Sequence, residues 1–220
     1  MTDSNTVNAK YFAAIISFTL SLCVSAQVTD TAPMPDPSIG DTWSYRTIDL
    51  FTDIERSQYV HELIERTADG FKYKGSDPNS GRVWNLFRTR TLEQCTTSRD
   101  IKERTCGGAF RFPMSVGMTH SFEKRPIPNG YGYISEECEV TSIEKVTVVA
   151  GIFDTFKVEC IGTWTSDFGT RDAIYRGRIV ETHWYAPSIN ANAKSIYRHY
   201  RRIGGVDNQI LTELLEFKRQ

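Results

Sequence analysis

Two histidines and a glutamate near the C-terminus are the residues of this chain best suited by type to do chemistry. Glu181, His183 and His199 fall in a stretch that reads as a β-hairpin. With its turn centred on Ala191, His183 faces His199, Glu181 faces Arg201 and Tyr185 faces Tyr197, all on one face by period-two alternation. Two imidazoles and a carboxylate on one face are donors suited to zinc or copper. The competing reading is a solvated face of aromatic and charge pairs. A one-residue slip of register would disperse the set.

Other constellations carry less. His61-Glu62-Leu63-Ile64-Glu65 lacks the second histidine that a helical zinc-protease motif requires, and it lies in a stretch that reads as strand. Ser115-Val116-Gly117 is not a nucleophile elbow. Glu136, Glu137 and Glu139 cluster, but Glu137 and Glu139 alternate against Cys138 as solvent-facing residues do. Glycosidase chemistry would need one of these carboxyls buried in a cleft with a raised pKa. Tyr197-Arg198-His199-Tyr200-Arg201-Arg202 interleaves rings with cations, yet alternation divides them between two faces, and a formal net charge of −1 argues against nucleic-acid binding. Trp43, Trp84, Trp164 and Trp184 either fill the core or line a groove for a lipid, a glycan or a partner segment.

Export is predicted by the first 26 residues. Lys10 precedes the apolar run Tyr11–Leu22, and Val24-Ser25-Ala26 supplies the small residues of a signal-peptidase site. The run is shorter than the roughly 20 residues of a membrane span. Removing 1–26 takes away one cation, Lys10, and one acid, Asp3, so the charge balance is unchanged. Cys23 goes as well, leaving Cys95, Cys106, Cys138 and Cys160. An even set in an exported chain implies disulfides, with three possible connectivities. Proximity favours Cys95–Cys106 and Cys138–Cys160, and the absence of CxxC spacing speaks against a zinc site.

The elements that must position these residues are strands. Residues 27–37, with three prolines, read as a flexible linker. Beyond them the apolar runs are short, aromatic and β-branched. Asp69-Gly70, Asn129-Gly130 and Gly204-Gly205 mark hairpins. Phe156, Val158, Cys160 and Trp164 alternate with Thr155, Lys157 and Glu159, as a half-buried antiparallel strand requires. Tyr133–Ile143 and Glu144–Val149 read as separate strands. The segment Ser38-Ile39-Gly40-Asp41-Thr42-Trp43-Ser44-Tyr45 recurs as Ser115-Val116-Gly117-Met118-Thr119-His120-Ser121-Phe122. An all-β fold is predicted: an antiparallel sandwich or strongly curved half-barrel, one domain over 38–220, built from similar halves at about 38–112 and 113–220.

Three stretches together resemble the TapB-like family of exported bacterial β-domain proteins of unknown function. They are Phe112-Pro113-Met114-Ser115-Val116-Gly117-Met118-Thr119, then Val146-Thr147-Val148-Val149-Ala150-Gly151-Ile152-Phe153-Asp154-Thr155-Phe156-Lys157-Val158-Glu159, then His183-Trp184-Tyr185-Ala186-Pro187. His120 departs from the pattern, standing where the family, like the first copy's Trp43, carries tryptophan. The resemblance implies a fold and an exported address, and brings no catalytic residues. The reading that follows is a periplasmic or secreted, non-catalytic binding or envelope-associated module without cofactor or membrane span. Its partner would be a lipid, a glycan or an envelope protein rather than nucleic acid. The alternative is a small metal-dependent or hydrolytic enzyme using the Glu181/His183/His199 face.

Overall fold

Short β-branched and aromatic runs separated by turn residues leave the chain little choice but to pair strand with strand. The computed structural model describes residues 30–96, 105–126, 132–166, 175–201 and 204–220. The segment expected to be a signal peptide and the Asn129-Gly130 turn lie outside them. The strands are β1 (Thr31–Ala32), β2 (Thr42–Asp49), β3 (Ile54–Arg66), β4 (Gly70–Ser76), β5 (Val83–Thr89), β6 (Gln94–Thr96), β7 (Thr105–Gly107), β8 (Met114–Ser115), β9 (Thr119–Pro126), β10 (Tyr133–Val148), β11 (Gly151–Ser166), β12 (Tyr175–Ala186), β13 (Ala191–Tyr200) and β14 (Val206–Lys218). Among the described residues the only helical element is a single 3-10 turn, Pro187–Ile189.

Two meanders make one sheet. β2 to β7 pair in chain order, β9 to β14 likewise, and β14 pairs with β2 to join the halves into a twelve-stranded antiparallel sheet. The sheet curls until its outer edges, β7 and β9, come together in a nearly closed, barrel-like curve. Gly107 of β7 packs so near Phe122 and Arg125 that a Cβ there would lie 3.0 and 3.2 Å from their side chains. This curvature turns one face inward, as expected of a half-buried sheet.

The duplicated segment builds the same device twice, with equivalent positions 77 apart. Gly40 and Gly117 both take positive φ, 91° and 83°, which the turn demands and a Cβ would resist. Gly40 N–H donates to Leu63 O at 2.8 Å, and Gly117 N–H donates to Val140 O at 2.8 Å. Leu63 and Val140 N–H in turn donate to Asp41 and Met118 O, at 3.0 and 2.9 Å. The register irregularity that follows is repeated too, between Leu63 and Glu65 and between Val140 and Ser142.

Two expectations are corrected. The linker at 27–37 is not a free tether over its described part: Thr31–Ala32 pairs with Met114–Ser115, and Ala32, Pro35 and Pro37 are buried. Burying these small apolar groups offsets the entropy of holding the chain down. Residues 133–148 form one long strand rather than two, because Ile143-Glu144 contains no residue suited to a reversal and the irregularity near Thr141 absorbs the change of direction.

Candidate functional site

The β12–β13 hairpin turns earlier than its sequence suggests. Pro187 cannot continue the ladder, a 3-10 turn follows, and Asn190 adopts the left-handed conformation (φ 52°, ψ 32°) that Asn tolerates. Ala186 therefore pairs with Ala191, and the turn is not centred on Ala191. His183 faces Ser195, Glu181 faces Tyr197, and His199 faces Ile179. The displacement from the expected register is even, so the three residues keep a common face, but the two histidines no longer meet.

Glu181 and His183 remain together. Asn192 Nδ2 lies 3.2 Å from His183 Nδ1, and His183 Nε2–H donates to Glu181 Oε2 at 2.9 Å. Arg125 of β9 reaches the other Glu181 oxygen at 3.5 Å and Glu136 Oε2 at 3.4 Å. Phe110 lies edge-on to His183, and Tyr185 beneath it is fully buried. His199 is held elsewhere, its ring stacked on Trp164 with centroids 4.4 Å apart and its Nδ1 3.6 Å from Asp207. Among the described residues, no three His, Cys, Asp or Glu side chains converge as metal ligands would.

Sequence reasoning named the centre of this network without singling it out. Glu136 is 3% exposed and faces inward, on the parity opposite to its solvent-facing neighbours Glu137 and Glu139. Burial, together with the charge of Glu181, pushes its carboxyl up to about 8 against the pull of Arg125. Burial would raise Glu181 as well, but the His183 hydrogen bond and the charges of His183 and Arg125 overcome it and hold the carboxyl below its ordinary range. Carboxyls driven apart in this way suit acid–base chemistry. A general acid must also touch a substrate, and the Glu136 side chain is sealed. Alternation could have flagged Glu136; Arg125 could not have been found, because it reaches the cluster through an irregular β9–β10 register.

Three of the four tryptophans are core. Trp43, Trp164 and Trp184 are 2%, 8% and 9% exposed. Their indole N–H groups donate to Ile189 O, Tyr200 O and the Glu144 carboxylate respectively. Trp84 differs. It is half-exposed and helps line a concavity of about 950 Å³ with His61, Tyr73, Leu86 and Arg88. A second depression, of about 500 Å³, carries Glu137, Glu139 and Glu159 on its wall. Cys138 is bonded to Cys160 directly across β10 and β11, and Cys95 to Cys106 across β6 and β7.

No family model matches this chain, and no curated protein matches it. Two solved structures share its fold. One is described as a "putative lipoprotein" from Parabacteroides distasonis ATCC 8503, with a TM-score of 0.50 and 16% identity. The other is described as a "putative exported protein with YmcC-like fold" from Bacteroides fragilis NCTC 9343, with a TM-score of 0.52 and 15% identity. In both comparisons the match covers 86% of this chain and 100% of the other.

Proposed function

We propose that the chain is an exported, non-catalytic β-domain that binds a ligand in the concavity beside Trp84. The observation that carries this reading is the concavity itself: about 950 Å³, walled by rings, and holding the one tryptophan of the four that is only half-buried. The export half of the reading draws on the signal-like order of residues 1–26, the TapB-like resemblance and the two disulfides, which persist in oxidising compartments. The descriptions of the two structural neighbours agree with it. The non-catalytic half draws on the sealed Glu136 carboxyl and on the separation of His199 from Glu181 and His183.

Native mass spectrometry of protein recovered from its own envelope tests both halves. The expected mass is that of a chain beginning at Gln27, with a second species heavier by one bound molecule. That species should disappear in Trp84→Ala. An uncleaved chain would refute export, and a single ligand-free species would refute binding.

A further inference from the structure

Strand alternation lines up Arg82, Trp84, Leu86 and Arg88 on one face at β5. Opposite Trp84, the neighbouring strand carries Gly75, and the missing side chain lets the indole lie flat: a Cβ at 75 would sit 2.2 Å from its Cε2 and Nε1 atoms. The guanidinium of Arg82 lies 5.9 Å from the centre of the Trp84 ring, and that of Arg88 lies 5.7 Å from the centre of the Tyr73 ring. Each guanidinium thus lies within cation–π reach of a ring without contacting its face, and a guanidinium's N–H edge can meet a carboxylate in bidentate fashion. Among the described residues, neither arginine has a carboxylate within ion-pair distance, whereas Lys72 on the same wall is already paired with Glu65 at 2.8 Å. Among the described residues, Asp69 is the one acid lining the concavity.

The wall is therefore cationic and aromatic. Among the described residues its aliphatic content is Leu86 and the exposed Ile64, too little for an acyl chain. Aromatic faces backed by guanidinium edges fit a sugar ring that stacks through its C–H face and carries a carboxylate. Arg82 and Arg88 are separated by about 20 Å of extended strand, so one ring cannot meet both. The depression lined by Glu137, Glu139 and Glu159 has the opposite charge and would repel such a ligand.

We propose that the concavity beside Trp84 binds a chain of acidic sugars, with Trp84 stacking on a ring and Arg88 and Arg82 each holding a carboxylate. This rests on the binding function proposed above and names its ligand class. Isothermal titration of the full mature chain would use hexagalacturonate, the neutral maltohexaose, and phosphatidylglycerol vesicles as separate probes. Hexagalacturonate should bind at least tenfold more tightly than maltohexaose, and its affinity should fall as salt is raised. Arg88→Gln and Trp84→Ala should each weaken it at least tenfold with the thermal midpoint retained, and Trp84→Phe should restore part of the loss.

Equal affinity for the two sugars, or hexagalacturonate binding insensitive to Arg88→Gln, overturns the acidic-sugar assignment while leaving ligand binding intact. Binding to the vesicles alone, dependent on Arg88, would reassign the site to a lipid headgroup. No binding to any probe, with no ligand co-purifying from the envelope, would sink both proposals together.

Discussion

Glu136 shows how much a single residue's meaning depends on its face. Its carboxyl holds a proton up to about pH 8 in the folded chain and releases it near 4.5 when unfolded. The stability from that proton is full below about pH 4.5 and is lost as pH rises through about 8. Glu181 acts in the opposite sense, contributing above its ordinary value and losing that contribution as pH falls below it. Urea midpoints of the wild type should therefore fall between about pH 5 and 8.5, and Glu136→Gln should flatten that decline. Parallel profiles for the two proteins would contradict the assignment. His183→Ala leaves Glu181 and Asn192 without their shared partner and should cost about 1–3 kcal/mol. The cost should be the same with and without a chelator, because the histidine's partners are protein groups; a chelator-dependent cost would revive the metal reading. Residue types alone pointed to Glu181 and His183, named Glu136 without singling it out from Glu137 and Glu139, and missed Arg125 and Asn192, whose importance comes from neighbours on other strands.

Turns carry the element scale. The repeated Ser-aliphatic-Gly motif predicts equal turns, and both copies make them, with the same two backbone hydrogen bonds to strand residues 77 positions apart. The copies differ in what packs on them. Nothing lies near a Cβ built on Gly117, whereas one on Gly40 would meet Gln220 Cγ at 2.4 Å. Gly117→Ala should cost about 1 kcal/mol through backbone strain alone. Gly40→Ala should cost more, and adding Gln220→Gly should bring it down to the Gly117→Ala value in thermal melts. Equal costs without the second change would show that the C-terminal contact is slack. The β12–β13 register departs from a turn centred on Ala191 because Pro187 ends the strand first and Asn190 supplies the left-handed residue. An even displacement spared the face of Glu181, His183 and His199 and separated the histidines.

At the scale of the whole molecule, the pairing of β14 with β2 holds the halves in one sheet, and each half carries one disulfide of its own. The Cys138–Cys160 bond closes a loop of 22 residues, and breaking it should cost about 3 kcal/mol by freeing the unfolded chain. A Cys138→Ser/Cys160→Ser double variant should lower the denaturation midpoint accordingly; an unchanged midpoint would mean that native strain cancels the gain. The C-terminus is also tied back, Gln220 N–H donating to Asp41 Oδ1 at 3.1 Å and Arg219 to Ser188 O at 2.7 Å. Period-two alternation, turn residues and the duplicated segment are local properties, so the sequence by itself determined that this is an all-β chain of similar halves. Curvature and register are collective properties, set by how twelve strands twist and slip against one another. Only the tertiary structure could therefore decide that Arg125 meets Glu136 and Glu181, that His199 stands apart, and that Trp84 alone of four tryptophans faces open space.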